Sequence, residues 1–484
     1  MTRIYYSEYG ASGDGVTDDF DAIIRAHAAA NESGAEVFAD DGAVYYIGAS
    51  DRTALIQTDT DWGGAKFIID DTQGGQRKHD LFSVCSKLAP VRLPAAGAAM
   101  RKNQEQTGLP IERRSLVAIR DDTTARYIRE GLNQDSGQAQ TDVFIADKNG
   151  NIDMAAPVIW DFGNITSAVA YPIDEQTLTV KGGHFTTVAN RAESKYTYYK
   201  GGINVARSNT IIDGVTHEVT GEGDHGAPYA GFITVHRCAD VLVQNCALSG
   251  HKIYTTIGSA GKPVPMGSYD ISAGNSVNVT FKDCTQLNDI HDAGIWGIFG
   301  SNYCKNLTFD TVRFSRFDAH CGVRGAVIKN SVLGYMGVHL IGHGTFLLEN
   351  TSVYARSLIN LRSDYGSTWD GDIIIKNCEF IPRSAGAALI SGSYSGQHDF
   401  GYTCYMPRKI TIDGLKIDDG RNPDAGPRIF GDFNRDYTSA EYVQKYPYVI
   451  TEEVEISNLK IKSGRSLSVS ENPFMFRNVK IINK

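Results

Sequence analysis

The chain has 484 residues, 42% of them hydrophobic and 10% aromatic, enough for a well-packed interior. Its net charge is −9 with no long basic run, which argues against nucleic-acid partners. No apolar stretch approaches the roughly 18 residues that a membrane crossing needs, so no membrane association is expected.

The opening, MTRIYYSEYGASGDG, lacks the apolar core of a secretory signal. It points to a cytoplasmic protein, or to a secreted one from which a signal has been trimmed. Residues 9–31, YGASGDGVTDDFDAIIRAHAAAN, combine a glycine-rich turn with a helix. Asp18 or Asp19 can cap that helix, and Phe20, Ile23, Ile24 and Ala28 share a face of it. The stretch resembles the N-terminal signature of the pectate-lyase-like superfamily: an aromatic residue, Gly-Ala, a GDG turn, Thr-Asp-Asp and a helix. That superfamily of right-handed parallel β-helix proteins includes polygalacturonase-like glycoside hydrolases, polysaccharide lyases, fructotransferases and phage tailspikes. The resemblance implies the fold, with a capping helix near 18–31, and leaves the reaction open.

Residues 1–76 are read as this cap and the first rungs, and 77–165 as an irregular elaboration. Within the elaboration, VFIADKNGNIDM (143–154) predicts a hairpin around Asn149-Gly150. Residues 166–425 form the central rungs and 426–484 the C-terminal rungs and cap, all in one domain. The central part repeats a phrase of alternating apolar residues ending in a turn-forming residue. The fifth positions of the phrase are Asn245, Asp283, Thr311, Asn330, Asn350, Asn377, Gly414 and Asn458, spaced by 38, 28, 19, 20, 27, 37 and 44 residues. A minimum step near 20 with variable additions is the pattern of a solenoid carrying loops on some rungs. The period of two marks strands with one buried face. Fifty (50) glycines against 14 prolines suit its many tight turns.

Cys246, Cys284 and Cys378 each follow a marker and read as small core residues rather than disulfides or metal ligands. The eight cysteines (8 in all) tilt the chain toward a reducing compartment. No metal site and no cofactor is expected.

Nine residues past successive markers stand Tyr254, Asp292, His320 and His339, predicting one column on the outside of the solenoid. Loops nearby add Glu222, Asp224, His225, Tyr269, Trp296, His343, Arg362, Asp364 and Tyr365. Carboxylates, imidazoles, a guanidinium and aromatic rings together suit sugar chemistry, as acid and base, charge partners and stacking platforms. Asp318 and His320 flank Ala319 and point to one side of their strand. Asp292, one rung away, would stand roughly 5–9 Å from Asp318, a spacing used by carboxylate pairs that cleave glycosides. Gly342-His343-Gly344 is similar to a Gly-His-Gly motif of polygalacturonases, and the order Asp292, Asp318, His343, Arg362 resembles their layout. The family's Asn-Thr-Asp, Asp-Asp and Arg-Ile-Lys stand here as His291-Asp292-Ala293, Asp318-Ala319-His320 and Arg362-Ser363-Asp364.

The leading expectation is therefore a glycoside hydrolase, with Asp318 and Asp292 as acid and base and His320 beside them. The other residues named would bind a carbohydrate substrate. Alternatives are a polysaccharide lyase with His320, His339 or Tyr365 as base and Arg362 as neutraliser, a fructan transferase, or a tailspike-like glycan-binding protein. A homo-oligomer, conceivably a trimer, is compatible with the fold.

Overall fold

The computed structural model describes all residues except 1, 49–50, 74–76, 131–136, 194–196, 224–225, 258–262 and 421–425. The chain winds into a right-handed parallel β-helix capped by one N-terminal helix. One ladder runs in register through Leu178–Val188, Thr210–Asp213, Ala239–Gln244, Val277–Lys282 and Phe299–Asp310. It continues through Arg313–Lys329, Gly342–Glu349, Trp369–Pro382, Lys409–Ile417, Glu453–Ser457 and Lys480–Asn483.

All eight sequence markers occupy left-handed backbone, with φ from 46° at Asn350 to 78° at Gly414. Asparagine and glycine tolerate that conformation, which is why the repeat ends in them. The Asn350 amide donates to Asn330 Oδ1 at 3.2 Å, and Asn330 in turn donates to Asp310 at 3.1 Å. A second row of such turns, not anticipated, links Asn306 to Asn278 at 2.9 Å and Asn278 to Asp240 at 2.8 Å.

Inside the coil, alternate side chains stack from rung to rung. Phe67 lies on Phe185 at 4.5 Å, and Phe281, Phe299, Phe309 and Phe317 pack edge to face further along. Cys246, Cys284 and Cys378 are buried free thiols in these layers. The helix Phe20–Ser33 covers the first rung with Phe20, Ile23, Ala26, His27 and Ala30. Ala28, expected on that face, is exposed, because the buried stripe follows Ala26 and His27 instead. The Asp18 side chain accepts from the Phe20 N–H, while the Asp19 carboxylate holds the glycine turn through Ser12 and Gly13.

The stretch after Phe82–Cys85 leaves the coil and returns at Leu178. It is more regular than the sequence suggested. Ser115–Arg126 pairs antiparallel with both Gln138–Ala146 and Ser167–Pro172, around a core containing Val117, Phe144 and Phe162. A buried ion pair of 2.7 Å between Asp142 and Lys305 ties this sheet to the flank of the solenoid. The sheet thereby forms a wall beside the rungs that carry the candidate site.

Candidate functional site

Arg316, Asp318 and His320 alternate with Phe317 and Ala319, which fill the interior, so all three point outward. Asp318 is nevertheless fully buried, because two guanidinium groups close over it. Arg316 Nη2 donates to one carboxylate oxygen at 2.5 Å and Arg362 Nη1 to the other at 2.6 Å. Burial alone would raise the Asp318 pKa, but the Arg316 and Arg362 charges outweigh it and hold the carboxyl well below the usual range. Asp318 is thus a permanent anion, sealed from any substrate. The expectation of a solvent-facing acid at this position is corrected: the side chain leaves the coil but is roofed over.

Arg362 reaches on to Asp364 with two bonds of 3.1 and 2.8 Å, and Arg129 from a loop beside the lateral sheet meets the same carboxylate at 3.3 Å. Burial would raise Asp364 as well, yet Arg362 keeps its carboxyl below the ordinary range. His320 lies at the edge of this cluster with its side chain 29% exposed. Its Nδ1 lies 3.1 Å from Asn302 Oδ1 and 3.3 Å from Cys321 Sγ; the amide oxygen can only accept, which favours the tautomer with the proton on Nδ1 and the lone pair on Nε2, 4.0 Å from Asp364. Burial, reinforced by Arg362, pushes the His320 pKa down to about 4, so the ring is neutral at neutral pH. The ring meets Tyr365 edge-on at 5.3 Å, and Tyr127 stands 5.7 Å beyond.

The column predicted at nine residues past each marker is not in register. His339 faces Asp318 across the ladder, not His320, because 333–337 holds two more residues than the paired 314–316. His339, also pushed down to about 4 by burial and Arg316, accepts from Asn360 at 3.1 Å. Asn360 in turn accepts from Ser391 at 3.1 Å, extending a polar stripe along the coil.

Asp292 sits apart in an exposed turn, where its carboxylate accepts from the Gly294 N–H at 2.7 Å. Asp292 is exposed while Asp318 is sealed beneath Arg316 and Arg362, so the two carboxylates do not open together onto one surface as expected. Trp296 lies under the Arg316 guanidinium at 4.9 Å. His343 lies one step along the coil, edge-on to Trp160 at 4.9 Å.

Glu222 and Tyr254 belong to a second cluster. Glu222 accepts from Tyr254 at 2.8 Å and lies 3.0 Å from His251 Nδ1. The other His251 nitrogen is 3.0 Å from Asp270, which also contacts His217 at 2.8 Å. Burial would lower His251, but Asp270 and Glu222 raise it to about 9, an imidazolium between two anions. Asp270, despite burial, is lowered to about 2 by His217 and His251. Tyr254 stands on an antiparallel excursion, Ile253 pairing with Gly267, and so leaves the predicted column. Tyr269 packs over Gly300 and against Tyr198 at 6.1 Å, away from Asp270. Asp224 and His225 lie outside the described residues.

Sequence reasoning missed Arg316, Arg129, His217, His251 and Trp160. The phrase Arg-x-Asp-x-His at 316–320 did carry a signal for Arg316, since period two puts all three residues on one side. Arg129 and Trp160 arrive from loops beside the lateral sheet, just after Arg126 and just before Phe162, and no local pattern announces that contact.

The fold and a cluster of outward arginines, imidazoles and tyrosines define a parallel β-helix with a polar flank. Solved structures of the same architecture include the gp49 tailspike of Pseudomonas phage LKA1, at TM-score 0.57 and 14% identity, covering 99% of this chain and 84% of that one. The Gp54 tailspike of Acinetobacter baumannii phage AP22, solved with a capsular saccharide, matches at TM-score 0.54 and 11% identity over 99% of this chain and 79% of that one. In sequence, an alignment of 149 positions that covers 26% of the chain is 24% identical to a KL64-specific capsule depolymerase of Klebsiella phage P510. That match spans 14% of the depolymerase. No family model matches the chain.

Proposed function

We propose that this protein binds and degrades an acidic polysaccharide, cleaving it by elimination beside a uronate at His320. The observation that carries the reading is a part-exposed neutral imidazole, its Nδ1–H committed to Asn302, flanked by Arg362 and Arg129. Elimination needs a base for the proton next to the carboxylate and a positive charge to stabilise the resulting enolate. His320 Nε2 takes the proton from C5, the C4–O bond breaks, a C4=C5 double bond forms, and the leaving oxygen is protonated by water. Arg129, a third exposed, is the cation placed to meet the uronate carboxylate. Asp318 and Arg362 act behind it, holding the guanidinium layer in place. Hydrolysis is less well served, since Asp318 and Asp364 are both held ionised by arginine and neither can supply a proton. The carbohydrate reading agrees with the relatives, one a capsule depolymerase and one solved with a capsular saccharide.

The test is digestion of a panel of acidic and neutral bacterial polysaccharides, with products analysed by mass and ultraviolet absorbance. Fragments lacking one water and carrying a conjugated double bond are expected. Fragments that have gained water would move the assignment to hydrolysis. Binding with no fragment of either kind would leave a glycan-binding spike without cleavage.

A further inference from the structure

A cavity of about 210 Å³ opens where the lateral sheet meets the coil, lined among others by Lys102, Arg126, Trp160, His343, Asp370 and Tyr402. Its aromatic floor is Trp160, inclined 31° to Tyr402 at 5.7 Å and contacted by the edge of His343 at 4.9 Å. Its polar groups balance. Lys102 bonds Asp370 at 3.1 Å, and the Arg126 guanidinium lies 4.8 Å over Trp160 while donating to Gln140 and to the Gly401 carbonyl. The other lining carboxylate, Asp161, accepts from the Lys102 backbone N–H at 2.8 Å. Lys102 and Arg126 are matched in number by Asp161 and Asp370, so the lining as a whole offers no net positive charge to an anionic ligand. His343 Nδ1, by contrast, makes no hydrogen bond of ordinary length: it stands 3.6 Å from Asp370, near enough to favour the carboxylate electrostatically but long for a bond. A buried nitrogen this weakly bonded has hydrogen-bonding capacity that a water or a ligand hydroxyl can take up.

We infer that this cavity is a binding site for one uncharged, hydroxyl-rich sugar ring, next to the acidic sugar held at His320. Aromatic surface with a few convergent carboxylate, ammonium and imidazole groups is the chemistry that takes a pyranose. The ring's apolar face lies on the aromatic floor while its hydroxyls bridge Asp370, Lys102 and His343. The two sites share a wall of tyrosine: Tyr402 meets Tyr127 at 5.2 Å, and Tyr127 meets Tyr365 at 5.7 Å. Tyr127 and Tyr365 are buried, so this row links the two sites from beneath, and a chain passing above it presents adjacent units to both. The inference rests on the glycan reading above and deepens it: the repeating unit of the substrate pairs an acidic sugar with a neutral one. The lateral sheet, through Lys102, Arg126 and Trp160, is then a specificity element rather than a decoration.

Saturation-transfer NMR with methyl glycosides of neutral hexoses, and with methyl glucuronide for comparison, tests it without requiring cleavage. The neutral glycosides should show saturable binding to the intact protein, and the glucuronide, which the His320 site takes, should not displace them. Trp160→Ala should weaken the neutral glycosides by about tenfold or more. Trp160 also packs within the lateral sheet, so Thr403→Trp, at an exposed position on the cavity's rim, is the second variant and should block the cavity without touching that core. On the polymer, both variants should raise KM with kcat retained. Absence of neutral-glycoside binding, binding indifferent to Thr403→Trp, or displacement of the neutral glycosides by the glucuronide overturns the inference. If no polymer is cleaved yet the glycosides bind and are blocked, the cleavage reading fails and this site stands. If the polymer is cleaved with unchanged KM in Thr403→Trp, this site fails alone.

Discussion

Asp318 shows how a carboxylate can be essential without being a reagent. It supplies the anion that lets Arg316 and Arg362 remain charged under the surface. Removing one member of such a buried pair strands the others, so Asp318→Asn should destabilise the fold by about 3–5 kcal/mol, read as a lower urea midpoint. Because its folded pKa lies below its unfolded one, this contribution is complete above about pH 4 and is lost as acid protonates the carboxyl. His320 makes the opposite prediction, concerning rate. His320→Gln should slow cleavage by about 10²–10⁴-fold with little change in stability. In the parent protein kcat/KM should fall on the acid side near pH 4, where the imidazole gains its proton, and the variant should lose that limb. A limb in the range of an ordinary histidine would show that another base acts. The sequence revealed that 316–320 matters through its alternation of charge and core. It could not reveal that Asp318 is roofed, since Arg362 lies 44 residues further along.

At the level of turns and strands, the asparagine ladders and the Glu222–His251–Asp270 relay do different work. Asn350 combines a φ of 46° with a bond to Asn330. Asn350→Ala loses both the bond and the ease of the left-handed backbone, and should cost about 2 kcal/mol in chemical denaturation. Asn350→Gly keeps the backbone and should cost about half as much; equal losses would mean the left-handed turn carries no strain. The relay ties the loop at Glu222 to the strand excursion at His251. His251 is raised to about 9 from an unfolded value near 6.5, so its contribution is full below about pH 6.5 and fades as pH rises through 9. The melting temperature should decline over that window in the parent protein and stay flat in His251→Gln. The eight markers were legible because each needs a special backbone. The relay was not, since its members come from separate rungs and excursions and share no spacing. The slip of His339 against Asp318 was likewise hidden, because counting from a marker presumes that no residues are added within the rung.

For the molecule as a whole, the elimination proposed above requires that a net charge of −9 still admit an acidic polymer to the arginines at His320. Long-range repulsion is screened when the Debye length shrinks from about 30 Å at 0.01 M salt to about 8 Å at 0.15 M, while short contacts to part-buried guanidinium groups persist. KM for an acidic polymer should therefore fall as salt rises over this range. A KM that instead rises would place binding on exposed charges elsewhere. Each left-handed turn returns the chain to the same point above the previous coil, whatever was spelled between. Steps of 19 and 44 residues both close to one rung. The frame is thus indifferent to the length of its own digressions, and a new loop alters what is grasped without rewriting how the chain is wound.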